Sequence, residues 1–144
     1  MEFDQNISSI PIEIELQSIT SMKKGSLGVA EFEQHVPFEV RRIFYFYDMP
    51  SKVSRGGHAH FKQRQFIICL SGHVIVKTEF SKEKKIFALD RPSKGIYLPP
   101  MTWVEIYFEE ANSNLLVLTC SVYDESDYIR DYDEFLNLKI KTDL

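Results

Sequence analysis

Two histidines two residues apart are the most informative chemical feature of the sequence. His58 and His60 stand after Arg-Gly-Gly in the stretch RGGHAHFKQRQFIICLSG, residues 55–72. Because side chains at i and i+2 of a β-strand point to the same face, the two imidazoles are expected to project together. An unperturbed histidine has a pKa of about 6.5, so it takes up and releases protons near neutrality. The pair therefore indicates proton transfer or metal binding, with an ordinary pair of core or surface histidines as the alternative.

The remaining donors around this pair argue against a metal. The spacing H-x-H-x4-Q-x6-G resembles the first of two cupin motifs, in which metal-binding members usually carry Glu at the position of Gln65. The second motif supplies one more histidine, but the matching position in GIYLPPMTWVEI is Val104, and strand alternation turns Glu105 to the opposite face. Two imidazoles and a neutral amide are a poor ligand set for a transition metal. The other two histidines, His35 and His73, are expected at the surface without a function.

The composition fits one packed domain that works in a reducing compartment. The chain has 144 residues, is 44% hydrophobic and carries a net charge of −4, which argues against a nucleic-acid or anionic-membrane surface. Cys69 and Cys120 lie in apolar runs without metal or redox spacing, so buried reduced thiols are expected. MEFDQNISSI (1–10) has no apolar signal-peptide core, and no apolar run is long enough to span a membrane. A cytoplasmic location is the expectation.

Short alternating and β-branched segments predict a sandwich or barrel spanning residues 1–144 as a single domain. MPSKVSRGG (49–57) is predicted to be a loop, SG (71–72) a hairpin turn and SKEKK (81–85) a charged turn. The helical spacing of DESDYIRDYDEFLNLKI predicts a C-terminal helical tail at 125–140. The predicted strands are IEIEL (12–16), GVAEFE (28–33), EVRRIFYFYD (39–48), QFIICL (65–70), HVIVKTEF (73–80), IFAL (86–89), IYL (96–98), TWVEIYF (102–108) and LLVLTCSV (115–122).

Four stretches together resemble the nucleotide-sugar 3,4-ketoisomerases, which act on thymidine diphosphate-4-keto-6-deoxyglucose. They are GSLGVAEF (25–32), PFEVRRIFYFYD (37–48), the histidine stretch, and SVYDESDYIRDYDEFL (121–136), and the last is the most specific because generic cupins lack it. The resemblance implies a cupin-type jelly-roll barrel, that is a double-stranded β-helix, with a short C-terminal helix. It implies a homodimer in which an N-terminal strand, here IEIEL, is exchanged between subunits.

The implied reaction moves the sugar ketone from C4 to C3 without a metal or any other cofactor. A base removes the C3 proton, an enediolate forms, and a proton returns at C4. By resemblance, His58 is expected to be the carbon base and His60 to shuttle or orient protons near the oxygens. The product would be a 3-keto sugar for an aminotransferase in deoxy-aminosugar and surface polysaccharide synthesis. The substrate-binding residues that the resemblance implies are Tyr45 at the sugar, Arg55 at the cavity mouth, Gln65, and Arg130 at the diphosphate.

Several features leave alternatives open. Tyr45 also fits a core tyrosine, Arg130 fits an ion pair with Asp127, Asp131 or Glu134, and Arg42 fits either a second site arginine or a surface residue. The family usually has Arg where this chain has Lys24, a histidine where it has Val104, and often an acidic residue where it has Arg64. The alternatives to a ketoisomerase are an inactive nucleotide-sugar-binding cupin, a metal-dependent cupin and a sugar epimerase on the same fold.

Overall fold

Two five-stranded antiparallel sheets form the body of the protein. The computed structural model describes residues 9–142. The elements are β1 (Ile12–Glu15), β2 (Gln17–Ser21), β3 (Gly25–Val29), β4 (Arg42–Phe46), β5 (Val53–His60), β6 (Gln65–Ser71), β7 (Val74–Phe80), β8 (Glu83–Leu89), β9 (Lys94–Leu98), β10 (Trp103–Phe108), β11 (Asn114–Thr119), β12 (Tyr128–Ile129) and α1 (Tyr132–Thr142).

The strand order shows how the sheets face each other. The first sheet runs β1-β9-β6-β11-β4 and the second runs β12-β5-β10-β7-β8, while β2 and β3 pair with each other and with no other strand of residues 9–142. Inward side chains such as Ile67, Val76, Ile106 and Val117, all 5% exposed or less, pack into one apolar core between the sheets. The prediction of an all-β fold with one short C-terminal helix is confirmed. No helix among the described residues is both long and apolar enough to cross a membrane.

The Ser-Gly turn joins the two sheets and is not the predicted hairpin. Strand β6 belongs to the first sheet and β7 to the second, so the chain changes sheet at Gly72. Gly72 has a φ of 94°, and a Cβ there would lie 2.1 Å from Oγ of Ser113, whose hydroxyl accepts a hydrogen bond from the His73 amide. The crossing therefore needs a residue without a side chain, which is a stronger requirement than a tight turn.

Local composition misplaced three further boundaries. The predicted loop MPSKVSRGG contains the first half of β5. The predicted strand GVAEFE ends at Val29, because its partner β2 begins at Gln17, opposite Val29, and the amide of the preceding Leu16 bonds to the Ser93 carbonyl. The charged turn is only Ser81–Lys82, both with positive φ, and β8 begins at Glu83. Ladder pairing with neighbouring strands overrides weak local β-propensity in these segments.

The C-terminal tail is helical only in its second half. Residues Glu125–Asp127 form a 3₁₀ turn, β12 follows, and α1 begins after Asp131, whose side chain accepts a hydrogen bond from the Glu134 amide. The predicted helix at 125–140 was wrong for the part before Tyr132. Ile129 fits the helical spacing but is a strand residue, 1% exposed, because β12 pairs with the end of β5.

Candidate active site

A glycine bulge sets which side chains of β5 share a face. Across β10, Val104 is opposite His58 and Glu105 is opposite Gly56, so Gly57 is the additional residue. Gly56 and Gly57 have φ values of 87° and 73°, a region that L side chains rarely adopt. In a regular strand Arg55 and His58 would point to opposite faces because they are three residues apart. The bulge brings both to the same cleft.

This cleft, about 500 Å³, lies between β4, β5 and the tail. Phe44 and Phe46 form its aromatic wall, with their ring centroids 5.9 Å apart. The guanidinium of Arg42 lies 4.8 Å from the ring centre of Phe44, and that of Arg55 lies 5.0 Å from that of Phe46. Two concave surfaces of similar volume lie on the outer face of the second sheet, but neither is lined by an imidazole. The chemistry therefore selects the cleft that contains His58.

The two imidazoles lie side by side but at different depths. Their ring centroids are 5.1 Å apart at an interplanar angle of 87°. His58 lines the cleft, whereas His60 is 4% exposed and is not among the lining residues. Val104 is 2% exposed beside His58, and Glu105 is exposed on the other face, as strand alternation predicted. In the described part of the chain, no three acidic, cysteine or histidine side chains are grouped to hold a metal ion.

Burial keeps the cleft imidazole uncharged. The pKa of His58 is lowered to about 4, mainly by desolvation and then by the neighbouring His60, with Arg130 acting in the same direction. The Gly56 carbonyl accepts a hydrogen bond from the ring, which opposes this effect. One ring nitrogen therefore carries the proton at neutral pH, and the other offers a lone pair. A neutral imidazole of this kind can act as a base towards a carbon acid.

The tail strand adds a tyrosine that the sequence analysis missed. Strand β12 places Tyr128 opposite His60, and its ring centroid lies 5.1 Å from that of His58 and 4.3 Å from that of His60. The guanidinium of Arg130 lies 4.2 Å from the Tyr128 ring centre, so both residues border the cleft. Tyr128 lies in the tail motif that carries the family resemblance. The sequence analysis predicted a helix there, and a helix would not pair Tyr128 with β5.

The other predicted site residues occupy three different environments. Tyr45 is 64% exposed on the outer face of β4, where its ring packs against Tyr47 at the rim of the cleft. Arg130 forms a two-point ion pair with Glu125, at 2.8 and 3.0 Å, and not with any of the acids that the sequence suggested. Gln65 is 5% exposed and faces His60.

Arg42, which the sequence left undecided, is a strong candidate for anion binding. Its side chain lines the cleft beside His58, between the rings of Phe44 and Tyr123. Its Nη1 atom is buried and makes no hydrogen bond to any residue that the structure describes. A buried guanidinium nitrogen without a partner is costly unless a ligand completes it. Of the arginines that line the cleft, Arg42 therefore has the clearest hydrogen-bond donor left for a ligand.

An amide network surrounds the inner histidine. Nε2 of Gln65 is 3.4 Å from Nε2 of His60 and 3.1 Å from Oε1 of Gln63. On the other side of the ring, Nδ1 of His60 is 3.3 Å from Oδ2 of Asp127. The Asp127 carboxylate also accepts hydrogen bonds from the backbone amides of Lys62, at 2.9 Å, and Gln63, at 3.1 Å. The tail is thereby fixed to the end of β5.

Fold and site together define a cupin-like protein with a basic imidazole in an arginine-rimmed cleft. A family model described as "FdtA: WxcM-like, C-terminal" matches residues 11–140, and the chain belongs to this family.

Its relatives include enzymes of known activity. The chain is 35% identical over 121 residues to TDP-4-oxo-6-deoxy-alpha-D-glucose-3,4-oxoisomerase of Aneurinibacillus thermoaerophilus, covering 84% of this chain and 87% of the relative. The sugar 3,4-ketoisomerase QdtA of Thermoanaerobacterium thermosaccharolyticum, solved in complex with TDP, is 34% identical, with a TM-score of 0.87 and coverage of 94% and 98%. A histidine-to-asparagine variant of QdtA, solved with TDP-4-keto-6-deoxyglucose, is 33% identical, with a TM-score of 0.86 and coverage of 92% and 96%.

Proposed function

We propose that this protein is a sugar-nucleotide 3,4-ketoisomerase that moves the ketone of TDP-4-keto-6-deoxyglucose from C4 to C3. The observation that carries the proposal is the neutral imidazole of His58 on the wall of a cleft with an aromatic side and an arginine rim, in a chain of this family. The relatives named above act on or bind this class of ligand. A 3-keto product is the substrate form that an aminotransferase would need to build a 3-amino sugar.

His58 is the proposed carbon base. The C4 carbonyl acidifies the C3 proton, and His58 removes it, so the C3–H electron pair forms the double bond of an enediolate. The proton of the C3 hydroxyl then passes to the oxygen at C4, the carbonyl forms at C3, and the His58 imidazolium returns a proton to C4. Atoms and electrons balance within the sugar, so the reaction needs no oxidant.

The arginines are proposed to hold negative charge at the rim. Arg42 and Arg55 supply positive charge close to His58, where the enediolate or the diphosphate needs it. Arg130 is proposed to contact the diphosphate while it remains paired with Glu125. Tyr45, on the exposed face of β4, is proposed to contact the nucleotide sugar at the rim of the cleft.

The test is turnover of TDP-4-keto-6-deoxyglucose in deuterated water, followed by NMR. The wild type is expected to give a product with its ketone at C3, with deuterium at C4 wherever the imidazole exchanges with solvent before the proton returns. His58→Asn is expected to bind the substrate but to lose about 10²–10⁴-fold in rate, the usual contribution of a general base. His73→Asn is the control, because His73 lies outside the cleft beside Glu109.

Two results would contradict the proposal. Binding without any product from the wild type would make the protein a nucleotide-sugar-binding module. A product that keeps its ketone at C4 and is inverted at a neighbouring carbon would make it an epimerase.

We also propose that the protein is a homodimer. Within the described part of the chain the β2–β3 hairpin pairs with no other strand, and the cross-strand pair Ile19 and Leu27 is 55% and 57% exposed. A two-stranded hairpin is marginal on its own, so an apolar cover is expected, and a second copy of the chain is the proposed cover. β1, the strand expected to be exchanged, pairs with β9 of its own chain, and exchange of an N-terminal strand stays a prediction. Leu27→Asp should give a monomer by light scattering, whereas Ile86→Asp, at a site 71% exposed on β8, should not.

A further inference from the structure

The contact of Gln63 with Ser121 determines the hydrogen-bond direction in the amide network. The side-chain amide of Gln63 contacts Ser121, with Nε2 placed 3.0 Å from the hydroxyl oxygen and 3.5 Å from the carbonyl oxygen. A carbonyl oxygen only accepts, so the nitrogen of this amide, and not its oxygen, must face Ser121. The Gln63 oxygen is then directed inward and accepts a hydrogen bond from Gln65 Nε2 at 3.1 Å.

This direction determines where His60 carries its proton. The second N–H of the Gln65 amide is the group available to His60 Nε2, 3.4 Å away, and it requires a lone pair there. The ring proton must then be on Nδ1, which lies 3.3 Å from Asp127 Oδ2. This contact is not aligned as a full hydrogen bond. A carboxylate at that distance nevertheless stabilises a proton on Nδ1 and repels a lone pair.

We propose that Gln65 and Asp127 are positioning residues that hold His60 as the neutral Nδ1–H tautomer, which leaves His58 as the single imidazole that exchanges protons with the sugar. The statement about the sugar rests on the proposed function, whereas the tautomer does not. Both ring nitrogens of His60 face protein groups, and only His58 lines the cleft. In this role Gln65 acts through His60 and has no contact with the substrate.

The charges around His60 agree with a neutral ring. Asp127, from the tail, favours the imidazolium, whereas Arg130 from the tail and Arg42 from β4 oppose it. Burial has the largest effect, and the pKa of His60 is lowered overall. An uncharged His60 also places no additional positive charge 5.1 Å from the His58 ring, where such a charge would weaken the base. The tautomer therefore protects the basicity of the neighbouring ring.

The test is ¹⁵N NMR of the imidazoles in the substrate-free protein, which has only four histidines. Signals are assigned with His60→Gln, His58→Asn and His73→Asn. In the wild type at pH 7, His60 is expected to show a protonated Nδ1 and an unprotonated Nε2. In Gln65→Glu, carboxylates face both nitrogens, so His60 is expected to become an imidazolium. The kcat of that variant should fall by up to about tenfold for each pKa unit that His58 loses to the new charge, the limit for a general-base step.

Gln65→Met removes the amide that needs the lone pair on Nε2 and adds no charge, so it separates the tautomer from the charge of His60. It is expected to keep His60 neutral, to increase the Nε2–H form and to lose less kcat than Gln65→Glu. The control is His73→Asn, outside the cleft beside Glu109, which should keep the wild-type kcat. An imidazolium or an Nε2–H ring in the wild type would overturn the proposal. So would an unchanged kcat in Gln65→Glu once NMR shows the imidazolium. A wild type without isomerase activity would instead refute the proposed function, and the NMR result would still decide the tautomer.

Discussion

Acidification should expose the protonation state of His58 directly. The pKa of this residue is about 4 in the folded protein, compared with about 6.5 in an unfolded chain, because burial disfavours the charged ring. Between these two values the unfolded state binds the additional proton. The free energy of unfolding should therefore be unaffected by His58 above pH 6.5, decrease as the pH falls through that window, and level off below pH 4.

The size of the effect follows from the shift. Roughly 2.5 pKa units at 1.36 kcal/mol each give about 3 kcal/mol, and solvent in the open cleft reduces this to about 1–3 kcal/mol. Urea denaturation of the wild type and of His58→Asn at pH 7, 5.5 and 4.5 measures it. The wild type should lose more free energy of unfolding than the variant on acidification, and His73→Asn should behave as the wild type.

The pH dependence of kcat/KM should also report the protonation of His58, with activity lost as the pH falls. The base form of His58 persists down to about pH 4, so kcat/KM should be flat from pH 7 to about 5 and then decline. Parallel losses of stability in the wild type and His58→Asn would show that burial does not control this pKa. A decline of kcat/KM centred near pH 6.5 would refute the reasoning in the same way.

Three further substitutions test how the site is held together. Gly57→Ala should lower the free energy of unfolding by about 1–2 kcal/mol by urea denaturation, because φ there is 73°, and should reduce kcat by disturbing the bulge; Gly28→Ala, with space for a Cβ, is the control. Arg42→Gln should lower kcat/KM by about 10–100-fold, the value of a charge-assisted hydrogen bond, whereas Arg41→Gln, with an exposed side chain, should not. Phe135→Ala, at a site that is 0% exposed, should cost about 3–5 kcal/mol in thermal or urea unfolding, and activity should fall because α1 no longer supports the tail strand.

Periodicity was enough to predict much of the fold because the core lies between two sheets. Along FYFY (44–47) it placed the two tyrosines on one face and the two phenylalanines on the other, without deciding which face is buried. In the structure both tyrosines are 64% exposed and both phenylalanines pack against the core, so the alternative of a core Tyr45 was wrong. Alternation also correctly predicted that Glu105 points away from the imidazoles. These predictions depend only on which side chains share a face of a strand, which the period of two in a single sequence contains.

The site geometry depends on contacts between distant segments, which periodicity does not encode. The bulge at Gly57 depends on the register against β10, and the Gly-Gly pair was therefore interpreted as part of a loop. Asp127 was considered only as a partner of Arg130, its neighbour in sequence. It instead accepts hydrogen bonds from backbone amides 64 and 65 residues away, because the 3₁₀ turn directs its carboxylate to the end of β5.

Val104 stands where the second cupin motif has a histidine. Its presence is compatible with catalysis if His58 alone, and not His60, carries protons to and from the sugar. Val104 occupies its position at 2% exposure opposite His58, so this position supplies no additional base. Gln65 faces Nε2 of His60, and its amide N–H needs the lone pair that this nitrogen would otherwise offer to a metal. Gln65 and Val104, the two departures from metal-binding cupins, therefore both disfavour a metal site. They leave His58, with its lowered pKa and its open side towards the cleft, as the group on which proton transfer depends.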